Sequence, residues 1–277
     1  MTTVARDSRR RQIGTDVVYN QADAGTDVEA SAAARPVTIP RDSFLREYFT
    51  YKPGEHLTLL GPTQSGKTTL ASQLLKVTTY PKLPGVVLVM KPRDAVVSAM
   101  AESLDYQIVR DWPPPVHTRH RVKTRGRVEV QKPPGYMVWP KHTFDPDRDD
   151  AHLAAVFRRT IRSNYAKGDA VLFCDEIYGL SKELGLERDL NAVWSRGSAM
   201  GCGLWASSQR PYGIPQWAYT SPEHIFLAKD PDKRDRDRYG EIGGVDPDLV
   251  KDITMTLPKY HWLYIHRSGP EMCIVSA

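Results

Sequence analysis

The chain has 277 residues, of which 40% are hydrophobic and 26% charged, and it carries a formal net charge of +5. These values are ordinary for a globular protein of one α/β domain, with or without an appendage. The mild excess of positive charge permits contact with nucleic acid without requiring it. The cysteines Cys174, Cys202 and Cys273 are widely spaced, which argues against a disulfide framework and fits a reducing, cytoplasmic setting.

The sequence pattern predicts no membrane span. Apolar runs such as Gly85–Met90 and Ala170–Cys174 have the length of a strand, far below the roughly 20 residues of a spanning helix. Arg9, Arg10 and Arg11 are not followed by an apolar stretch, so we reject a signal peptide.

In chain order, residues 1–35 lack apolar periodicity and predict a flexible N-terminal arm. Residues 36–277 predict an α/β domain, because strands alternate with helices as in βαβ units of a mostly parallel sheet. The predicted strands are His56–Leu60, Gly85–Met90, Tyr106–Arg110, Ala170–Cys174, Gly203–Ser207, Glu223–Ala228 and a closing hairpin of Lys259–His266 with Met272–Val275. The predicted helices are Gly66–Val77, Asp94–Leu104, Asp149–Tyr165, Lys182–Met200 with a break near Gly185, and Asp232–Tyr239.

A basic segment, residues 113–142, interrupts this alternation and predicts a β-hairpin-like insertion. It could grip the phosphates of DNA, since lysine and arginine contacts displace counterions. An exposed charged hairpin without a partner explains the segment equally well. The candidate DNA-binding residues are Arg119, Arg121, Lys123, Arg125 and Arg127.

The run Gly61–Thr68 matches the P-loop pattern G-x-x-x-x-G-K-[ST] between an apolar strand and an amphipathic helix. The pattern predicts binding of a nucleoside triphosphate, ATP, through backbone N–H groups and the helix N-terminus. Lys67 is expected to reach the β- and γ-phosphates, and Thr68 to place its hydroxyl on Mg²⁺. The candidate nucleotide-binding residues are Gly61, Pro62, Thr63, Gln64, Ser65, Gly66, Lys67, Thr68 and Thr69.

A second apolar strand, Ala170–Cys174, ends in Asp175 and Glu176, which is a Walker B pattern. Asp175 is the candidate Mg²⁺ ligand, directly or through water. Glu176 is the candidate general base that polarises the attacking water. The adjacent glutamate favours hydrolysis over nucleotide binding alone.

A third strand, Gly203–Ser207, leads into Ser208, Gln209 and Arg210. If it lies beside the P-loop strand, Gln209 can donate to the γ-phosphate and accept from water. A polar turn leading into Pro211 is the alternative reading of the same residues.

The run Ser195–Pro211 resembles the FtsK/HerA superfamily of DNA-translocating ATPases, in which an Arg-containing helix leads through a glycine into an apolar strand ending in Thr/Ser-Gln-Arg-Pro. The resemblance extends over residues 50–277 and implies a RecA-like P-loop fold, a hexameric ring and ATP hydrolysis coupled to movement along double-stranded DNA. It carries over Lys67 and Thr68, Asp175 and Glu176, and Gln209 as the γ-phosphate sensor. It also implies an arginine finger acting in trans, for which the candidates are Arg196, Arg210, Arg234 and Arg238.

The small size of the chain resembles viral genome-packaging ATPases of this superfamily, or soluble plasmid-borne relatives. Either resemblance implies partners in viral or transfer machinery, and a viral member would work in the host cytoplasm. We therefore predict an ATP-hydrolysing motor for double-stranded DNA. The alternatives are an assembly or export ATPase that acts on a protein, as in the Zot-type proteins of filamentous phages, and a nucleotide-dependent switch with little turnover.

Overall fold

The computed structural model describes residues 35–115, 120–124, 127–268 and 271–277. The strands in these ranges are β1 (Thr38–Pro40), β2 (Leu57–Leu60), β3 (Gly85–Leu88), β4 (Gln107–Val109), β5 (His120–Thr124), β6 (Arg127–Gln131), β7 (Gly135–Val138), β8 (Ala170–Cys174), β9 (Cys202–Ser208), β10 (His224–Ala228), β11 (Trp262–His266) and β12 (Glu271–Ser276).

The helices are α1 (Arg41–Ser43), α2 (Lys67–Thr78), α3 (Ala95–Leu104), α4 (Pro146–Lys167), α5 (Glu187–Arg196), α6 (Trp217–Thr220), α7 (Lys233–Tyr239) and α8 (Pro247–Thr256). Phe44–Tyr48 and Gly179–Glu183 are π-helical turns, and Ser198–Met200 and Pro211–Gly213 are 3₁₀ turns.

The central sheet has ten strands in the order β1-β12-β11-β10-β2-β9-β8-β3-β7-β4. The neighbours from β10 to β4 pair in parallel, whereas β11 is antiparallel to both β10 and β12. Helices cover both faces, as parallel sheets require. A mostly parallel sheet flanked by helices, which the sequence predicts, is confirmed.

Two apolar layers enclose the sheet. On one face, α2 and α3 pack with the π-helical turn Phe44–Tyr48 through side chains that include Leu70, Met100 and Phe44. On the other face, α4, α5, α7 and α8 pack through side chains that include Phe157, Leu190 and Ile253. With both faces buried, the inner strands are apolar at nearly every position, as the fully buried β8 illustrates.

Aspartate caps fix where several helices begin. Asp94 accepts hydrogen bonds from the backbone N–H groups of Val96 and Val97, and Asp145 accepts one from Arg148. Asp246 caps α8 in the same way, with Pro247 in its first turn. These side chains satisfy donors that a helix N-terminus leaves without a partner.

The sequence prediction was wrong about part of the insertion. Gly135–Val138, placed there by the sequence, forms β7 and pairs in parallel with β3 and β4 in the central sheet. The hairpin itself is β5–β6, a separate two-stranded sheet. Three further elements, β1, α6 and α8, were not predicted from the sequence.

Other predictions fall partly or wholly outside the described residues. These are the flexible arm at residues 1–35, apart from Arg35, and the candidate DNA contacts Arg119 and Arg125. Arg121 and Lys123 belong to β5, and Arg127 begins β6. The division into an arm and an ATPase domain stays a prediction.

Among the described residues, no helix is both long and apolar enough to cross a membrane. All three cysteines are buried and free.

Candidate active site

The carboxyl ends of β2, β9 and β8 meet at one edge of the sheet. Leu60 is in register with Ser208, and Cys174 is in register with Ala206. The residues directly after these strands, Gly61, Gln209 and Asp175, therefore leave the sheet side by side. In open parallel sheets this edge is where ligands bind.

The P-loop turns through left-handed backbone conformations before α2 begins. Gln64 has a φ of 63° and Gly66 a φ of 93°, and a glycine adopts such a conformation without steric cost. At Gly61 there is no space for a side chain, because a Cβ there would lie 2.5 Å from Cβ of Ala228. The loop thus delivers Lys67 and Thr68 to the first turn of α2, where helix N–H groups attract an anion.

The Lys67 ammonium lies across the mouth of this loop. Its Nζ donates to the carbonyl oxygens of Gly61 at 2.6 Å and Pro62 at 2.9 Å. Burial lowers the pKa of Lys67 to about 8, although Glu176 and Asp175 oppose that shift. A negatively charged phosphate at this position would restore the protonated form.

Other P-loop residues complete the concave face of the turn. The Ser65 hydroxyl is buried and has no hydrogen-bond partner among the described residues, which suits a hydroxyl that donates to a phosphate oxygen. The Thr63 hydroxyl donates to Oε1 of Gln209 at 2.6 Å. Thr69 lies exposed in the first turn of α2.

Thr68 and Asp175 form the pair of oxygens that a magnesium ion needs. The Thr68 hydroxyl lies 3.3 Å from Oδ1 of Asp175. A hydroxyl and a carboxylate are hard oxygen ligands, the type that Mg²⁺ prefers, so these residues fit the ion.

Lys91, which the sequence analysis did not assign to the site, stands beside this pair. Its Nζ lies 3.7 Å from Oδ2 of Asp175 and 2.9 Å from Oδ2 of Asp94. Lys91 comes shortly after β3, the strand next to β8, so it arrives at the same edge. In the sequence, the signal that could have identified Lys91 is a cationic residue shortly after the apolar strand β3.

Glu176 is held by donors from its own turn and from β9. Its Oε1 accepts from the Ser208 hydroxyl at 3.0 Å and from the Tyr178 N–H at 3.3 Å. Its Oε2 accepts from the Gln209 N–H at 3.3 Å. Burial raises the pKa of Glu176, and these hydrogen bonds oppose the shift. A raised pKa makes a carboxylate a stronger base.

Gln209 connects the two motifs. Its side chain accepts from the P-loop residue Thr63, and its backbone N–H donates to the Walker B residue Glu176. A residue bonded to both motifs can register a change at either one.

The candidate arginines lie in different places. Arg210 is exposed directly after Gln209, at the same edge as the P-loop. Arg196 ends α5 ahead of β9, at the opposite edge, where its guanidinium stands over the Tyr165 ring at 6.0 Å. Arg238 is bonded to Glu241 at 2.7 Å, and Arg234 is exposed at the start of α7.

The fold and this edge define a RecA-like P-loop ATPase architecture, with the P-loop strand β2 between β9 and β10 and the Walker B strand β8 beyond β9. The genome-packaging NTPase B204 from Sulfolobus turreted icosahedral virus 2, in complex with AMPPCP, aligns with a TM-score of 0.53 and 16% identity. That alignment covers 82% of this chain and 99% of B204.

VirB4 of Thermoanaerobacter pseudethanolicus aligns with a TM-score of 0.56 and 10% identity over 80% of this chain and 88% of its own. No protein-family model and no curated protein matches the sequence. At such low identities the likeness concerns the fold, and it confirms the RecA-like fold that the resemblance implied.

The lowered pKa of Lys67 makes the affinity for ATP depend on pH. The protonated lysine binds phosphate and prevails below pH about 8, so we expect affinity to fall above that pH. The limiting slope is about tenfold per pH unit, because the complex then takes up a proton. Binding of a non-hydrolysable ATP analogue is to be measured by equilibrium dialysis from pH 7 to 10 with Glu176 intact, because this carboxylate contributes to the pKa of Lys67.

The variant Lys67→Met should bind more weakly and lack this slope. The variant Lys76→Met, an exposed change on the same helix, should keep the slope. An identical pH dependence with and without Lys67 would contradict the assignment.

Proposed function

We propose that this protein is a Mg²⁺-dependent ATP-hydrolysing motor that moves double-stranded DNA during genome packaging or DNA transfer. The observation that carries the proposal is the hydrogen-bonded path from Thr63 through Gln209 to Glu176. It joins a phosphate-binding loop to a candidate base, so loss of the γ-phosphate can alter the position of β9 and of the segment after Gln209.

ATP binds through the P-loop in this proposal. Backbone N–H groups at the start of α2 and the Lys67 ammonium hold the β- and γ-phosphates, and the buried Ser65 hydroxyl donates to one of their oxygens. Lys67 then exchanges its bonds to the carbonyls of Gly61 and Pro62 for phosphate oxygens. This exchange costs little, because each carbonyl bond is replaced by a bond between opposite charges.

Hydrolysis is assigned to Glu176. Its carboxylate accepts a proton from the attacking water as the water oxygen bonds to the γ-phosphorus, and the bond from that phosphorus to the β,γ-bridging oxygen breaks to release ADP and phosphate. Ser208 and Gln209 orient the carboxylate through their hydrogen bonds to its two oxygens. Thr68 and Asp175 would hold Mg²⁺, which neutralises charge on the phosphates when it is bound.

The cargo is assigned to DNA on two grounds. The strands β5 and β6 contain Arg121, Lys123 and Arg127, and Arg119 and Arg125 are close to them in the sequence, a concentration of positive charge suited to phosphate contacts. One structural neighbour is a viral genome-packaging NTPase. A ring of identical subunits, which we propose to be a hexamer, would place an arginine from one subunit at the site of the next. Arg210 is our preferred finger, because it is exposed at the P-loop edge.

Duplex DNA should raise the rate of ATP hydrolysis by the full-length protein, as measured by phosphate release. Glu176→Gln should lower the rate about 100- to 10,000-fold, as expected for loss of a general base, while ATP stays bound. Glu102→Gln, an exposed change of the same chemistry on α3, should keep the wild-type rate. A rate that DNA does not change would contradict the DNA motor and favour an ATPase that acts on a protein.

Neutralising the hairpin should flatten the salt dependence of DNA binding. Each phosphate contact contributes about 0.9 to the slope of log affinity against log salt concentration, so Arg→Gln at residues 119, 121, 125 and 127 should reduce the slope by up to about 4. A matched variant changes the exposed Arg46, Arg148, Arg188 and Arg267 to Gln, with an equal loss of net charge. If both variants reduce the slope equally, the hairpin has no special role.

A further inference from the structure

A cluster of two histidines and a glutamate lies at the edge of the sheet opposite the P-loop. His224 begins β10, His266 ends β11, and Glu55 precedes β2. Each residue offers one ligand atom, and these three atoms lie within 4.8 Å of one another. His224 begins the five-residue strand β10, which pairs with the P-loop strand β2, so this cluster lies about 15 Å from the carboxyl edge of the sheet.

The antiparallel pairing of β10 with β11 sets the two imidazoles side by side. His224 is directly opposite His266, their ring centroids are 5.0 Å apart and their planes differ by 11°. One nitrogen of each ring lies within 4.8 Å of the other. Because an imidazole binds an ion in the plane of its ring and stacked planes do not meet, the partly buried His266 ring has to rotate out of the stack for both nitrogens to bind one ion.

Glu55 supplies the third ligand from a different segment of the chain. Its Oε2 lies 3.1 Å from Nε2 of His224 and accepts from the Lys52 N–H at 2.6 Å. The backbone of the same loop is anchored, because the Tyr51 hydroxyl donates to the Glu55 carbonyl at 2.9 Å. The carboxylate is thus positioned before any ion arrives.

Tyr264 provides the outer contact that a histidine ligand needs. Its hydroxyl lies 3.0 Å from Nδ1 of His224, and both side chains are buried. With the proton on Nδ1 donated to Tyr264, Nε2 is left with its lone pair directed at Glu55 and His266. Ligating histidines in proteins nearly always donate their other N–H in this way.

We propose that Glu55, His224 and His266 bind a divalent metal ion, with Zn²⁺ the best match. Two imidazoles and one carboxylate form a ligand set that holds Zn²⁺ in proteins, with a fourth position open to water. His266 is partly exposed and the Glu55 side chain is 15% exposed, so the ion can enter from solvent. The ion ties the loop ahead of the P-loop strand to the β10–β11 pair. The proposal does not depend on the proposed function.

The test uses the full chain, prepared without a histidine tag and freed of metal with a chelator. Competition with a chromophoric chelator should give one Zn²⁺ per chain, and Zn²⁺ should raise the melting temperature. Bound Co²⁺ should produce the visible bands of a four- or five-coordinate N/O site without a thiolate charge-transfer band, which excludes the buried cysteines as ligands.

Variants locate the ion. His266→Gln and Glu55→Gln should each weaken Zn²⁺ binding at least about tenfold, since even outer partners of ligating histidines contribute that much. His152→Gln, an exposed change on α4, and Asp175→Asn, at the Mg²⁺ position, should bind Zn²⁺ as the wild type does. The proposal would be overturned if the protein bound no Zn²⁺ at micromolar concentration. It would also be overturned if the His266 and Glu55 variants bound Zn²⁺ as tightly as the wild type.

Discussion

The parallel pairing of β2 with β9 on one side and β10 on the other is the constraint on which the candidate active site depends. Because all three strands end at the same edge, the P-loop, Gln209 and the residues after β10 emerge side by side. β8 pairs with β9 in the same direction and adds Asp175 and Glu176. The site therefore forms because the separate motifs all lie at the same edge of the sheet. A strand slipped by one residue would turn Ser208 away from Glu176, since side chains alternate between faces.

Most residues at this edge could be predicted from the sequence, because they belong to motifs that are contiguous along the chain. The P-loop and the Walker B strand are short contiguous patterns, and β8 lies where the apolar run predicts it. Lys91 was missed because its partner Asp175 is 84 positions further along the chain, and only the β3–β8 pairing brings them together. The strand β7 was misassigned because its pairing with β3 and β4 is likewise non-local. By contrast, α8 was not predicted although it has a local start signal, Asp246 before Pro247.

The two edges of the sheet have different chemistry. At the carboxyl edge, Lys67, Lys91, Asp175 and Glu176 form a charged cluster in which each carboxylate faces a cation or a hydrogen-bond donor. At the amino edge, His224 and His266 face Glu55 in an aromatic setting. Strands β2 and β10 extend from the amino edge to the carboxyl edge. A metal ion that holds their amino ends in place would therefore also stabilise the elements beside the P-loop. The register of β10 with β11, which no local pattern encodes, creates the histidine pair.

The most direct test of the proposal that ATP hydrolysis moves this protein along duplex DNA is displacement of a fluorescent third strand from a DNA triplex. A motor that tracks the duplex should strip the third strand with ATP and Mg²⁺, but not with a non-hydrolysable analogue or in the Glu176→Gln variant. Displacement should also be delayed as the duplex leading to the triplex is lengthened. ATP hydrolysis without any displacement, at a DNA concentration that saturates binding, would contradict the account.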